Sequence, residues 1–143
     1  QDISQDDIIE AARFVDAAPF IEKLPNGYQQ LVTERGSSFS TGQRQLLAFA
    51  RTMASQPKIL ILDEATANID SETEQTVQHS LEKMRKGRTT IAIAHRLSTI
   101  QDADCIYVLD KGKIIESGSH EELLALKGTY HRMYELQAGQ LAG

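Results

Sequence analysis

Apolar positions recur at helical spacing over the first third of the chain. Ser4 and Asp7 fit the S-x-x-D capping box that opens a helix, and the apolar residues Ile8, Ala12 and Val15 follow at intervals of four and three. After several turn residues, a longer helix is predicted from about Thr41 to Ser55, closed by Pro57. This part of the sequence therefore predicts short helices and loops followed by one long helix.

The pattern changes at residues 59–62, which are four consecutive aliphatic residues. This run is too short for a helix and too uniformly apolar for a half-exposed strand, so we predict a strand that is covered on both faces. Residues 89–94 are predicted to form a second buried strand. Between them, a helix is predicted from Ser71 to a stop at Gly87. Its buried stripe consists of Val77, Leu81 and Met84.

The last third of the sequence predicts a hairpin and two helices. Residues 105–109 and 113–116 are strand-like and are joined through Asp110-Lys111-Gly112, and helices begin near Glu121 and Tyr130. Strand–helix–strand order of this kind predicts an α/β layered core, here preceded by a helical appendage.

Composition narrows the class of protein. The 143 residues suffice for one domain, and a net charge of −5 argues against a nucleic-acid partner. The longest aliphatic run is far short of the roughly 20 residues of a membrane span. The single cysteine, Cys105, excludes an internal disulfide framework. No targeting segment is present. Because the chain starts at Gln1 and not at a methionine, we expect it to be part of a longer protein.

Two adjacent carboxylates, Asp63 and Glu64, come directly after the first predicted strand. At the carboxyl end of a parallel strand they would lie in the crevice where α/β sheets bind ligands. Asp63 is suited there to hold hydrated Mg²⁺, and Glu64 to position or deprotonate a water molecule. The alternative is an ordinary strand that ends in a solvated acidic turn.

The long helix opens with Phe39-Ser40-Thr41-Gly42-Gln43. Ser40 and Gln43 form a second capping box, which presents the backbone N–H groups of the helix start. Gly42 leaves room for close approach, and the helix dipole favours an anion at this point. The alternative is a well-capped surface helix without a ligand.

Two weaker signals follow. His95 comes after the second predicted strand and would lie at the same sheet edge as the carboxylates if the two strands are neighbours. Residues 67–70, which end in Asp70, separate the carboxylates from the next helix. Taken alone, a lone histidine is more often structural, and this segment is more often a turn.

Together, in this order, these four motifs resemble the signature, Walker B, D-loop and H-loop of ATP-binding-cassette (ABC) nucleotide-binding domains, and the resemblance extends over essentially the whole chain. It implies the carboxyl-terminal part of a P-loop NTPase fold. Residues 1–56 would form the helical subdomain with the signature helix, and residues 57–143 part of the RecA-like core.

The resemblance also implies roles. Asp63 would help to hold Mg²⁺ through water, Glu64 would polarise the hydrolytic water, and His95 would contact the γ-phosphate. The signature residues would face ATP bound on a second nucleotide-binding domain in a head-to-tail dimer, and Asp70 would cross that interface. These signature residues are Phe39, Ser40, Thr41, Gly42 and Gln43. The parent protein would be an ATP hydrolase at the cytoplasmic face of the cell membrane, whose transmembrane domains export drugs or lipophilic compounds.

The departures from the family pattern matter as well. No G-x-x-x-x-G-K-[ST] phosphate loop occurs in the chain, so we expect no ATP turnover by these residues alone. Phe39 and Thr41 replace the first and third residues of the usual Leu-Ser-Gly-Gly-Gln, while Glu64 is intact. In combining an altered signature with an intact catalytic carboxylate, the chain resembles one subunit of a bacterial heterodimeric multidrug exporter. Glu34-Arg35-Gly36 resembles the end of the loop that contacts the membrane domain.

Two other functions remain open at this point. One is a soluble ABC ATPase of DNA repair or translation, against which the short span from Ser71 to His95 and the net acidity argue. The other is a non-catalytic dimerisation domain, against which the presence of Glu64 and His95 argues.

Overall fold

The computed structural model describes residues 3–32, 38–63, 71–94 and 97–141. The helices and short 3-10 turns are α1 (Gln5–Phe14), α2 (Ala18–Ile21), a 3-10 turn (Gly27–Gln29), α3 (Thr41–Ala54), α4 (Ser71–Arg85), a second 3-10 turn (Leu97–Thr99), α5 (His120–Leu126) and α6 (Thr129–Leu141). The strands are β1 (Ile59–Asp63), β2 (Thr89–Ile93), β3 (Ile106–Asp110) and β4 (Lys113–Gly118). The predicted α/β class is confirmed.

Contacts divide the chain into two compact units. The first lies within Gln1–Leu62 and Thr66–Ile91, and the second within Asp63–Ala65 and Ala92–Gly143. The boundary expected after residue 56 stays a prediction.

The first unit is a helical cluster with one core. The buried residues of this core come from α1, α2, α3, β1 and α4, and include Val15, Leu46, Met53, Leu60, Val77 and Met84. The capping box predicted at Ser4 is present, since Ser4 N–H donates to Asp7 Oδ2 at 2.9 Å and Asp7 N–H donates to Ser4 Oγ at 3.2 Å. Of the apolar residues predicted to line α1, Val15 is buried whereas Ile8 is 43% exposed.

Polar contacts tie the end of α1 to α4. The fully buried Ser80 hydroxyl donates to the Val15 carbonyl at 2.7 Å. Beside it, Lys83 Nζ pairs with Asp16 Oδ2 at 2.7 Å, and Asp16 takes a left-handed backbone with φ of 58°. These bonds hold the helix that follows β1 against the helical cluster.

Strands β1 and β2 are hydrogen-bonded neighbours in a two-stranded sheet. The prediction that both faces of these strands are covered is wrong for the described residues. Leu60 is 2% exposed, whereas Ile59 and Ile61 are 60% and 73% exposed. On β2, Ile91 and Ile93 are 55% and 53% exposed.

The physical reason is that, within the described part of the chain, one face of this sheet has no second layer packed on it. Leu60 belongs to the helical core and Leu62 packs against it, so one face of β1 is covered. Nothing among the described residues buries the isoleucine side of the sheet. Uniformly apolar strands are typical of sheets with layers on both faces, and the part of the chain that the structure describes supplies one of them.

The second unit is the predicted hairpin packed against α5 and α6. Strands β3 and β4 pair antiparallel, and the turn residues Lys111 and Gly112 have φ of 48° and 76°, which suits a two-residue hairpin turn. A small core of Leu97, Ile106, Leu123 and Tyr130 joins these elements. Glu116 of β4 accepts hydrogen bonds from the backbone N–H groups of Thr129 and Tyr130 at 2.5 and 2.9 Å, and so caps α6.

None of the helices in the described ranges combines the length and the apolarity needed to cross a membrane.

Candidate functional site

The residues before α3 form a turn that is anchored by an aromatic contact. Phe39 is 7% exposed and meets the ring of Phe20 edge-on, with ring centroids 6.1 Å apart. The backbone that leads into α3 is therefore held against the helical cluster, and the next residues emerge from it at a defined point. We call residues 39–43 the signature turn.

A capping box then fixes the start of α3. Ser40 N–H donates to Gln43 Oε1 at 3.0 Å, and Gln43 N–H donates to Ser40 Oγ at 3.1 Å. Ser40 and Thr41 are exposed, Gln43 is half-buried and Gly42 is buried. The predicted helix and cap are thus confirmed, and the polar side chains at the helix start are accessible.

Arg44 adds a contact that sequence reasoning missed. Its Nη1 donates to the Phe39 carbonyl at 2.7 Å and its Nη2 donates to Thr41 Oγ1 at 3.1 Å. The available signal was the spacing of three residues from Thr41, because residues three apart are neighbours on a helix surface. The guanidinium thus lies along the signature turn.

The charge at this helix start distinguishes it from two other helices of the chain. α1 and α5 also begin with serine capping boxes, but their partners are the carboxylates of Asp7 and Glu122, and acidic residues occupy their first turns. At α1 the hydrogen bond from the Ser4 side chain, followed by that from the Ser4 backbone, lowers the pKa of Asp7.

At α3 the capping partner is the neutral amide of Gln43, and the first turn contains no acidic residue. The positive end of the helix dipole is therefore not compensated by a carboxylate in that turn, and the guanidinium of Arg44 adds a full positive charge beside it. This arrangement favours an anion at the start of α3.

A cleft of about 770 Å³ in the first unit reaches the signature turn. Its lining combines apolar and polar side chains, among them Phe20, Gln43, Leu46, Thr76 and His79. Gln43 therefore belongs both to the capping box of α3 and to the lining of this cleft.

Asp63 is the last residue of β1, and it is exposed. It belongs to the second unit, whereas the signature turn belongs to the first. Within the described ranges, no cluster of three or more histidine, cysteine or acidic side chains has the geometry of a metal site. A single exposed carboxylate nevertheless fits Mg²⁺, since this ion keeps several waters and takes one or two carboxylates together with substrate phosphates.

The other predicted site residues, Glu64, Asp70 and His95, lie outside the described residues, as does the segment Glu34-Arg35-Gly36. The prediction for His95 required that the strand before it and the strand before the two carboxylates be neighbours. These strands, β2 and β1, are neighbours in the sheet. The roles of all these residues stay predictions.

The fold and the signature turn together are those of a nucleotide-binding domain, and comparison with known proteins gives the family. The sequence model described as "ABC transporter" matches residues 3–67. The ABC transporter ATP-binding protein exp8 of Streptococcus pneumoniae is 78% identical over 142 residues, which cover 99% of this chain and 24% of exp8. The multidrug resistance ABC transporter ATP-binding/permease protein YheH of Bacillus subtilis is 56% identical over 138 residues, covering 96% of this chain and 20% of YheH.

Among solved structures, a bacterial Atm1-family ABC exporter with ATP bound matches with a TM-score of 0.82 and 46% sequence identity, over 95% of this chain and 24% of that one. The chain belongs to the ABC transporter family and corresponds to part of the nucleotide-binding domain. It spans about a quarter or less of the length of the relatives named here.

Proposed function

We propose that this chain is the carboxyl-terminal part of the ATPase domain of a membrane exporter of drugs or lipophilic compounds. The observation that carries the proposal is the exposed start of α3, which has a neutral capping box and no acidic residue in its first turn. Such a helix start is suited to receive the phosphate of a nucleotide bound on a second nucleotide-binding domain. The relatives that are named as ABC transporter and multidrug resistance proteins support the same function.

The chemistry then divides between two groups of residues. Ser40, Gly42 and the backbone N–H groups at the start of α3 bind the phosphate in trans, while Asp70 lies at the domain interface. On the chain's own side, Asp63 holds Mg²⁺ through water, Glu64 polarises the attacking water and His95 orients the phosphate. Mg²⁺ supplies charge neutralisation when bound. Phosphoryl transfer depends mainly on positioning and on neutralising charge, which is what these residue types supply.

We propose further that the second domain is a different chain. Thr41 occupies the position at which the family normally has glycine, so the site that this signature turn closes differs from the one built on Asp63 and Glu64. Two unequal sites are expected in a heterodimer, located with the membrane domains at the cytoplasmic side. If the longer protein hydrolysed ATP as a homodimer with two equivalent sites, the heterodimer would be refuted.

The central test is Glu64→Gln in the longer protein that carries this chain. The amide keeps the shape of the side chain but does not accept a proton, so ATP turnover at this site should fall by about 10²-fold or more. ATP binding and nucleotide-dependent cross-linking of the two domains should persist.

Asp110→Asn is the control, because it makes the same change from carboxylate to amide on an exposed acidic residue at the end of β3. It should leave both readouts unchanged. Undiminished turnover in Glu64→Gln would show that another group polarises the water. Cross-linking without any turnover in the unsubstituted protein would favour the non-catalytic dimerisation domain. The 143-residue chain without a phosphate loop should release no phosphate from MgATP.

A further inference from the structure

The guanidinium of Arg44 bridges two different parts of the signature turn. One nitrogen donates to the carbonyl of the buried Phe39 and the other to the hydroxyl of the exposed Thr41, at 2.7 and 3.1 Å. Two donors at fixed spacing are a property of the planar guanidinium, and a lysine ammonium on a flexible stem does not reproduce them. The contact therefore depends on arginine and not on positive charge alone.

The rest of the turn is already held by other contacts. Phe39 packs on Phe20, and the capping box fixes Ser40. The backbone N–H of Arg44 also donates to the Ser40 carbonyl at 3.0 Å, which closes the first helical turn. To these contacts the guanidinium adds a further bond to the backbone at Phe39 and control over the side chain of Thr41.

Threonine at the start of a helix divides between two side-chain rotamers. The bond from Arg44 Nη2 favours the rotamer in which the Thr41 oxygen accepts from the guanidinium. An oxygen that accepts in this way still has its own O–H to donate. The exposed Thr41 thereby becomes an oriented donor at the helix start.

We propose that Arg44 is a positioning residue of the signature turn, which holds the Thr41 hydroxyl as an additional donor to the phosphate that this turn receives. Thr41 then replaces the usual glycine without blocking the site, because its oxygen is held by the guanidinium. This inference rests on the proposed function. It names two side chains on which domain closure depends, by which we mean the ATP-driven association of the two nucleotide-binding domains.

The test is a double-mutant cycle in the longer protein, read as the MgATP concentration that gives half-maximal cross-linking of the two domains. Thr41→Val removes the hydroxyl at nearly constant shape, and Arg44→Lys keeps the positive charge but loses the two donors at fixed spacing. A hydrogen bond contributes a net free energy that corresponds to about a two- to thirteenfold change in an equilibrium constant. Each substitution should therefore raise that concentration about two- to thirteenfold, and the double variant should show little further increase.

Two further variants separate positioning from general stability. Thr41→Ser retains the hydroxyl. Its half-maximal MgATP concentration should stay within about twofold of that of the original protein, a smaller change than the loss of one hydrogen bond causes. Arg51→Lys makes the same change on an exposed arginine in the last turn of α3 and should have no effect. Independent effects of Thr41→Val and Arg44→Lys that simply multiply, or an unchanged response in Thr41→Val, would overturn the proposal.

A measurement without nucleotide keeps this inference separate from the proposed function. Amide hydrogen exchange of the peptide that spans residues 39–44 should accelerate in Arg44→Lys and remain unchanged in Arg51→Lys. If exchange changes as expected but ATP drives no cross-linking in any variant, the proposed function fails while the contact stands. If exchange is insensitive to Arg44→Lys, the positioning role itself is refuted.

Discussion

Gln43→Glu is the substitution that most directly tests the electrostatic character of the signature turn. Glutamate at the third helical position completes a serine capping box, as Glu122 does in α5. The hydrogen bond from Ser40 N–H to the side-chain oxygen at position 43, now 3.0 Å long, is therefore expected to persist. What changes is the charge, because a neutral amide becomes a carboxylate at a helix start that has no other acidic residue in its first turn.

The two consequences of this charge have opposite signs. A carboxylate in the first turn interacts favourably with the helix dipole and should raise the free energy of unfolding by about 0.3–1 kcal/mol. We take roughly 6 Å, about twice the length of one hydrogen bond, as the separation between this carboxylate and a phosphate at the helix start. Repulsion between two unit charges at that distance is about 0.7 kcal/mol at a dielectric constant of 80 and about 2.8 kcal/mol at 20. Closure driven by ATP should therefore weaken by about 3- to 100-fold.

The assay pairs chemical denaturation with the MgATP dependence of domain cross-linking in the longer protein. The variant should be equally or more stable but need more MgATP, and the difference should shrink as salt is raised, because charges at an exposed site are screened. Asp7→Asn makes the reverse change in the capping box of α1 and should leave closure unchanged. If Gln43→Glu closed at the original MgATP concentration in low salt, the argument that this helix start receives an anion would be wrong.

Two further predictions concern the fold. Leu60→Ala should lower the free energy of unfolding of this chain by about 2–5 kcal/mol, because Leu60 is buried. Ile61→Ala, on the exposed face of β1, should change it by less than about 0.5 kcal/mol. Equal losses in denaturant titrations would show that both faces of β1 are covered. Hydrogen bonds from the backbone of Tyr130, then of Thr129, lower the pKa of Glu116 from 4.5, so its contribution is complete above that pH and lost as pH falls through the lower folded pKa. Glu116→Gln should lower the melting temperature at neutral pH and flatten its decline in acid, and a profile that matched the unsubstituted chain would contradict this cap.

The sequence by itself determined those parts of the fold whose signals are local. The capping box at Ser40 places the start of α3 because the two hydrogen bonds join residues three apart in the chain. The hairpin of β3 and β4 likewise follows from Lys111-Gly112, whose left-handed backbone suits a two-residue turn. The motifs of the ABC transporter family are also linear, and so the sequence alone identifies the residues of the signature turn.

Only the tertiary structure decided which faces are covered and which side chains meet. Residues 59–62 are uniformly apolar, and nothing in their order distinguishes the buried Leu60 from the exposed Ile61, because burial depends on what packs against each face. The cap of α6 by Glu116 joins residues 13 and 14 positions apart, on either side of α5. Contacts of this kind depend on how elements that are distant in the chain pack together, whereas capping and turn preferences act within a few residues.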